Sequence, residues 1–189
     1  MRELPKIVGL CGHIGCGKDT VAQFLHSKYG YTIRGFSDPV YQGVWELNPV
    51  IPVADGYKRL QEVVMDMGWD AAKRQNNEIR RLLRVYGTEA GRDIHGFDCW
   101  VDHLDKVSGT DKLLVVRDVR FANEVKWIRE FRGFIINITR DGCEAQGNHA
   151  SEQLHHEDIA DLRIANNGSI KDLEMMVHMT FSHYQPFGK

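Results

Sequence analysis

The chain has 189 residues, room for one ordinary domain and a core that buries roughly 70% of the unfolded surface. It is 42% hydrophobic with a net charge of −2, from 24 basic and 26 acidic residues. That balance excludes binding to nucleic acid polymers or membranes through bulk charge, so any anion site must be built from locally placed groups. The four cysteines, Cys11, Cys16, Cys99 and Cys143, form no CxxC pair and read as reduced thiols. No signal-peptide pattern or membrane-length apolar run occurs, and the expectation is a soluble, cytoplasmic protein.

Residues 7–11 (Ile-Val-Gly-Leu-Cys) are a short apolar run that reads as a buried first strand. A glycine-rich turn follows, and Val21, Phe24 and Leu25 then take up helical spacing. Tyr31 to Phe36 reads as a second strand, and Asp38-Pro39 as a helix start. Pro49, Pro52 and Gly56 predict a loop over 48–56. Helices are expected over 57–67 and 77–86, a loop punctuated by Gly87, Gly91 and Gly96 next, and a helix over 99–107. Leu113 to Val116 is bounded by charge, as a central parallel strand would be. A helix over 121–131 and a strand over 134–138 follow. Residues 140–157 are polar, 162–165 read as a last strand, and Ser169 caps a final helix in which Ile170, Leu173, Val177 and Phe181 share a face. Strands alternating with helices predict an α/β fold: a parallel sheet covered on both faces, with its site at the carboxyl ends of the strands.

Gly12-His13-Ile14-Gly15-Cys16-Gly17-Lys18-Asp19 nearly fits G-x-x-x-x-G-K-[ST], between an apolar strand and a helical pattern. Its glycines let successive N–H groups face inward around an anion. Lys18 is then within reach of the β- and γ-phosphates of ATP. Asp19 replaces the usual Ser or Thr; its carboxylate is a hard ligand for Mg²⁺, directly or through water, and Thr20 adds a hydroxyl.

The sequence resembles the deoxynucleoside monophosphate kinases of bacteriophages. The resemblance rests on five stretches in order: Gly17-Lys18-Asp19-Thr20; Arg80-Arg81-Leu82-Leu83 running into Tyr86-Gly87-Thr88-Glu89, with Trp100 beyond; Arg117-Asp118-Val119-Arg120 with Asn123-Glu124; Ile138-Thr139-Arg140 with His149-Ala150-Ser151-Glu152; and Asn166-Asn167-Gly168-Ser169. It implies a P-loop NTPase fold of the nucleoside monophosphate kinase type in a single kinase domain over 1–189. An acceptor-binding region near 37–100 and a lid near 140–157 belong to that picture. It also implies ATP and Mg²⁺ as cofactors, a deoxynucleoside monophosphate as acceptor in phage DNA precursor synthesis, and a homodimer. If phage-encoded, such an enzyme works in the host cytoplasm.

By this resemblance Gly12, Ile14, Gly15, Cys16, Gly17, Lys18, Asp19, Thr20 and Arg140 hold ATP, with Arg140 on its phosphates or stacked on adenine. Ser37, Asp38, Arg81, Gly87, Thr88, Arg92 and Trp100 bind the acceptor. Arg81 and Arg84 share a helix face, and guanidinium groups suit bidentate phosphate contacts; the competing reading is a solvated basic helix paired with Glu78 and Glu89. Trp100 is either a base-stacking platform or core. Asp118 resembles the acid that ends a Walker B strand, with Arg120 stabilising transferring charge; the alternative is an Asp118–Arg120 ion pair that holds a loop. Cys143, His149, His155 and His156 fit no usual zinc spacing and read as exposed lid residues. Two other functions stay open. One is a small-acceptor kinase of the dephospho-coenzyme A or phosphomevalonate type, and the other is a non-catalytic nucleotide-binding regulator.

Overall fold

The computed structural model describes residues 4–143 and 156–183. Strand β1 (Ile7–Cys11) is buried at all five positions. Helix α1 (Lys18–Tyr29) follows the glycine turn and stops at Gly30, whose left-handed conformation (φ 77°) closes the last turn. Strand β2 (Thr32–Arg34) is shorter than the predicted 31–36. Only these three residues pair with a neighbour. The Tyr31 ring is buried, with its hydroxyl on Pro5 O, and the Phe36 N–H bonds to a side chain instead.

Helix α2 (Asp38–Leu47) begins one residue earlier than a capping Asp38 would allow, with Ser37 at the cap position. The loop expected over 48–56 is instead a hairpin, β3 (Val50–Val53) paired antiparallel with β4 (Gly56–Arg59). Pro52 is tolerated because a two-stranded ribbon leaves each strand one unpaired edge, and Asp55-Gly56 is a turn signal between strands as much as a loop signal. Helix α3 therefore starts at Leu60, not Tyr57, and runs to Gln75 with a break at Gly68 (φ 77°, ψ 160°). Helix α4 (Asn77–Val85) is capped by the Asn76 side chain, which accepts from Glu78 N.

The glycine-punctuated loop expected after residue 86 is helical as well. A π-helix (Tyr86–Arg92) and the short α5 (Asp93–His95) continue α4. Gly91 serves as a packing surface, since a Cβ there would stand 2.3 Å from Trp100 Cζ2, whereas one on Gly87 would meet Val40 at an ordinary 3.5 Å. Helix α6 (Cys99–Ser108), strand β5 (Leu114–Val116), helix α7 (Ala122–Glu130), strand β6 (Phe134–Thr139), helix α8 (His156–Ile159), strand β7 (Leu162–Ala165) and helix α9 (Ile170–His183) complete the order. In α9, Leu173, Val177 and Phe181 are buried as expected, but Ile170 is 65% exposed. It lies in the capped first turn, where Ser169 and Asp172 bond to each other. The predicted lid, with Ser151, Glu152, His149 and His155, lies mostly outside the described residues.

The chain divides into two compact units, 1–36 with 104–189, and 37–103. The first holds a five-stranded parallel sheet in the order β2-β5-β1-β6-β7. Val8, Leu10, Ile136 and Ile138 pack on one side of it against Val21, Leu25, Leu173, Val177 and Phe181 of α1 and α9. Because all strands point one way, the segments after β1, β5, β6 and β7 emerge at one edge. The second unit takes in the residues named above for acceptor binding; its core joins Val44, Ile51, Leu60, Val63, Ala72 and Ile79.

Candidate active site

The site in the first unit begins where β1 ends. Gly12 turns the chain at φ 129°, a region closed to side chains, and a Cβ there would lie 2.1 Å from Ile138 O of the neighbouring strand. Gly17, at φ 107°, leads into α1. Between them Ile14 and Gly15 are exposed and Cys16 is buried. Helix α1 has no side-chain cap, and its first backbone bond is Val21 N to Gly17 O. The N–H groups of Lys18, Asp19 and Thr20 thus precede the helical ladder and carry its positive end. Lys18 Nζ lies across the loop, donating to Gly12 O at 2.7 Å and His13 O at 2.8 Å. Burial pushes the Cys11 thiol up to about 12, and burial likewise raises Cys16, both against the opposing pull of Lys18. Neither thiol therefore offsets the loop's positive field near neutral pH.

Asp19 is exposed and makes no ion pair among the described residues. Its carboxylate and the Thr20 hydroxyl are hard oxygen groups of the kind Mg²⁺ takes.

Flanking strands bring further groups to the same edge. Asp118, after β5, is buried, and its Oδ1 accepts the Phe36 N–H at 2.9 Å. That bond ties the ends of β2 and β5 together. The Arg120 side chain is exposed, while its backbone N–H and that of Phe121 bond to the Glu124 carboxylate at 2.7 and 3.0 Å. The Asp118–Arg120 ion pair considered from the sequence is not formed among the described residues. Arg140, after β6, is exposed. Cys143 Sγ lies 3.7 Å from where a Gly15 Cβ would stand. Asn166, a residue that sequence reasoning left without a role, is buried after β7 and donates to Cys16 O at 2.9 Å. The only available signal was its place in the Asn-Asn-Gly-Ser stretch.

Within the second unit, Ser37 and Asp38 open α2 and are half-buried. Arg80, Arg81 and Arg84 are exposed on α4. Arg81 forms a two-pronged bond to Glu78, Nε to Oε2 at 2.7 Å and Nη2 to Oε1 at 2.6 Å. Hydrogen bonding from this guanidinium holds the Glu78 carboxyl below its ordinary range. Thr88 and Arg92 ride on the π-helix, a geometry that recurs at functional sites. The Trp100 indole donates to Gly87 O at 2.8 Å, covers Gly91 and stacks near Tyr86 with ring centroids 6.5 Å apart. Arg92 Nη1 reaches the same Gly87 carbonyl at 3.4 Å. Trp100 thus braces the π-helix from one side.

A parallel sheet whose first strand runs through a glycine turn into a lysine and an uncapped helix defines a P-loop nucleotide-binding protein. The family model for deoxynucleotide monophosphate kinase matches residues 50–177, more than half of the chain. The chain belongs to the deoxynucleotide monophosphate kinase family, so its reaction is phosphoryl transfer from a nucleotide to a deoxynucleoside monophosphate. Residues 12–20 precede the matched stretch, and the loop therefore stands on its own geometry. The chain is similar to a putative deoxynucleotide monophosphate kinase of Acanthamoeba polyphaga mimivirus, 28% identical over 181 residues, covering 88% of this chain and 91% of that protein. It is also similar to the deoxynucleotide monophosphate kinase of Escherichia phage RB69, 28% identical over 100 residues, 50% of this chain and 41% of that one. The Enterobacteria phage T4 enzyme matches at 29% over 102 residues, 50% and 42%. The match thus spans under half the length of the two phage proteins. Among solved structures, the APS kinase of Mycobacterium tuberculosis aligns over 95% of this chain and 98% of its own (TM-score 0.43, 17% identical). The shikimate kinase of Bacteroides thetaiotaomicron aligns over 93% and 98% (TM-score 0.45, 10% identical).

Proposed function

We propose that this enzyme moves the γ-phosphoryl of ATP onto a deoxynucleoside monophosphate, with the triphosphate cradled by Gly12 to Thr20 and the acceptor phosphate held by Arg81 and Arg92. The observation that carries the reading is the loop itself: an uncapped helix start, three glycines at positive φ and Lys18 spanning the turn. Ile14, Gly15, Cys16 and Gly17 supply backbone, and Lys18 exchanges its two carbonyl partners for phosphate oxygens. Asp19 and Thr20 would hold Mg²⁺, which would supply positive charge against the triphosphate. Arg120 and Arg140, exposed at the same sheet edge, meet the charge that develops on the transferring group. Asp118 keeps the β5 turn in place through Phe36 and, at the carboxyl end of that strand, would orient a metal-bound water. Ser37, Asp38, Gly87 and Thr88 contact the acceptor, and Trp100 supports the π-helix that carries two of them. The family resemblance further supports a homodimer working in the cytoplasm. Among the described residues no helix is long and apolar enough to cross a membrane.

The test is an acceptor panel: dTMP, dGMP, dCMP, dAMP and modified pyrimidines with ATP and Mg²⁺. At least one deoxynucleotide should accelerate ADP formation and appear as its diphosphate. ATP turnover that no acceptor changes would point to the regulator instead. Arg81 supplies a second test. Its guanidinium already grips a carboxylate in two-pronged fashion, the geometry it would use on phosphate. Arg81→Ala should raise the acceptor KM about tenfold with a smaller change in kcat. Glu78→Gln should lower that KM, because the competing anion is gone. Unchanged acceptor kinetics in both variants would remove Arg81 from the acceptor site.

A further inference from the structure

Asn166 lies between β7 and α9, 150 residues from the loop it touches, and is 7% exposed. Its backbone N–H donates to Thr139 O at 2.7 Å, which fixes it to the end of β6. Its side-chain Nδ2 donates to Cys16 O at 2.9 Å. The same amide lies over Gly17, where a Cβ would stand 2.5 Å from Nδ2. Any side chain at 17 would push the amide off. Cys16 O is thereby withdrawn from the α1 ladder, whose first acceptor is Gly17 O.

A trans peptide plane points its C=O and its N–H in opposite directions. An amide that holds Cys16 O toward β7 therefore aims the Gly17 N–H the other way. We propose that Asn166 is a positioning residue for the phosphate loop: by anchoring the Cys16 carbonyl it presents the Gly17 N–H to the triphosphate. Rotating this peptide would turn the donor away and present a carbonyl oxygen to an anion, exchanging attraction for repulsion. The inference rests on the proposed ATP cradle and adds to it the group that sets one donor's direction.

The readout is the Gly17 amide proton, followed by NMR with ¹⁵N-labelled protein, together with ATP affinity by calorimetry in the presence of Mg²⁺. In the wild type, ATP should move the Gly17 proton downfield. Asn166→Leu keeps the volume and removes the donor. It should weaken ATP binding about tenfold and suppress the Gly17 shift, while the acceptor KM stays within about twofold. Asn166→Ala should behave the same way if the leucine is not accommodated. A merely structural asparagine would lower stability without separating ATP from acceptor. Folded variants with wild-type ATP affinity would overturn the inference. So would a wild type whose other loop amides respond to ATP while Gly17 does not, a result that needs no variant. A wild-type protein that binds no ATP would overturn the cradle as well, whereas the previous two outcomes leave the cradle standing.

Discussion

Lys18→Ala should lower kcat by about a thousandfold while leaving the fold intact, the loss expected when a preorganised charge is removed from a phosphoryl-transfer site. Lys18 Nζ is held by Gly12 O and His13 O, two carbonyls of the loop it spans. Those bonds place the ammonium over the turn before any phosphate arrives, so little reorganisation remains at the moment of transfer. The side chain is half-buried, and its charged end meets the two loop carbonyls and the Cys16 thiol (3.7 Å), so alanine removes polar contacts more than apolar packing. Binding of ATP should weaken less than turnover does, because the backbone donors and the α1 terminus remain. Lys18→Arg should not restore the rate, since a planar fork cannot replace a compact point charge between two carbonyls. The check is steady-state kinetics at saturating ATP and acceptor, beside a circular dichroism spectrum. A folded alanine variant that keeps a tenth of wild-type kcat would remove Lys18 from the chemistry.

Gly12→Ala should be among the most destabilising single changes in the chain. Two penalties coincide there. The backbone stands at φ 129°, outside the range a side chain accepts, and the added Cβ would meet Ile138 O at 2.1 Å. That oxygen belongs to a strand in the middle of the sheet and has no rotamer by which to escape. Strain and overpacking together cost about 3 kcal/mol or more, which lowers Tm by roughly 6–12 °C in a protein of this size. Gly15→Ala is the internal control. Its φ is also positive, at 83°, but the nearest neighbour to a new Cβ is the movable Cys143 thiol at 3.7 Å. Only the backbone penalty applies, about 1 kcal/mol. Thermal unfolding of the pair should separate them clearly. Equal melting temperatures would mean that the turn relaxes and that Gly12 is a matter of convenience rather than necessity.

The donor half of the site was legible in the chain because its chemistry is local. An apolar run, glycines at set offsets, a lysine and a helical period lie within some twenty residues of one another, and β1 and α1 came out as expected. The parallel sheet was also legible, from alternating strands and helices. Residues 48–59 were not, because proline and Asp-Gly signal loops and hairpins alike; the pairing of Ile51 with Lys58 decides between them. Residues 86–96 misled for a different reason. Gly91 looks like a turn residue until Trp100 is seen filling the space that its Cβ would take, and Gly87 until it is seen buried beside Val40. Trp100 itself read equally well as platform or core, and its bond to Gly87 O shows what its N–H edge is engaged with.

By itself, then, the sequence determined the class of chemistry and the place of the phosphate loop, since both follow from short-range pattern and residue type. Tertiary structure alone decided strand order, the π-helical course of residues 86–92, and the use of Asn166 on Cys16. Each of these depends on which distant groups share a small volume. A buried carbonyl must find a donor somewhere, but nothing in the residues around Cys16 says that the donor comes from the far end of the chain.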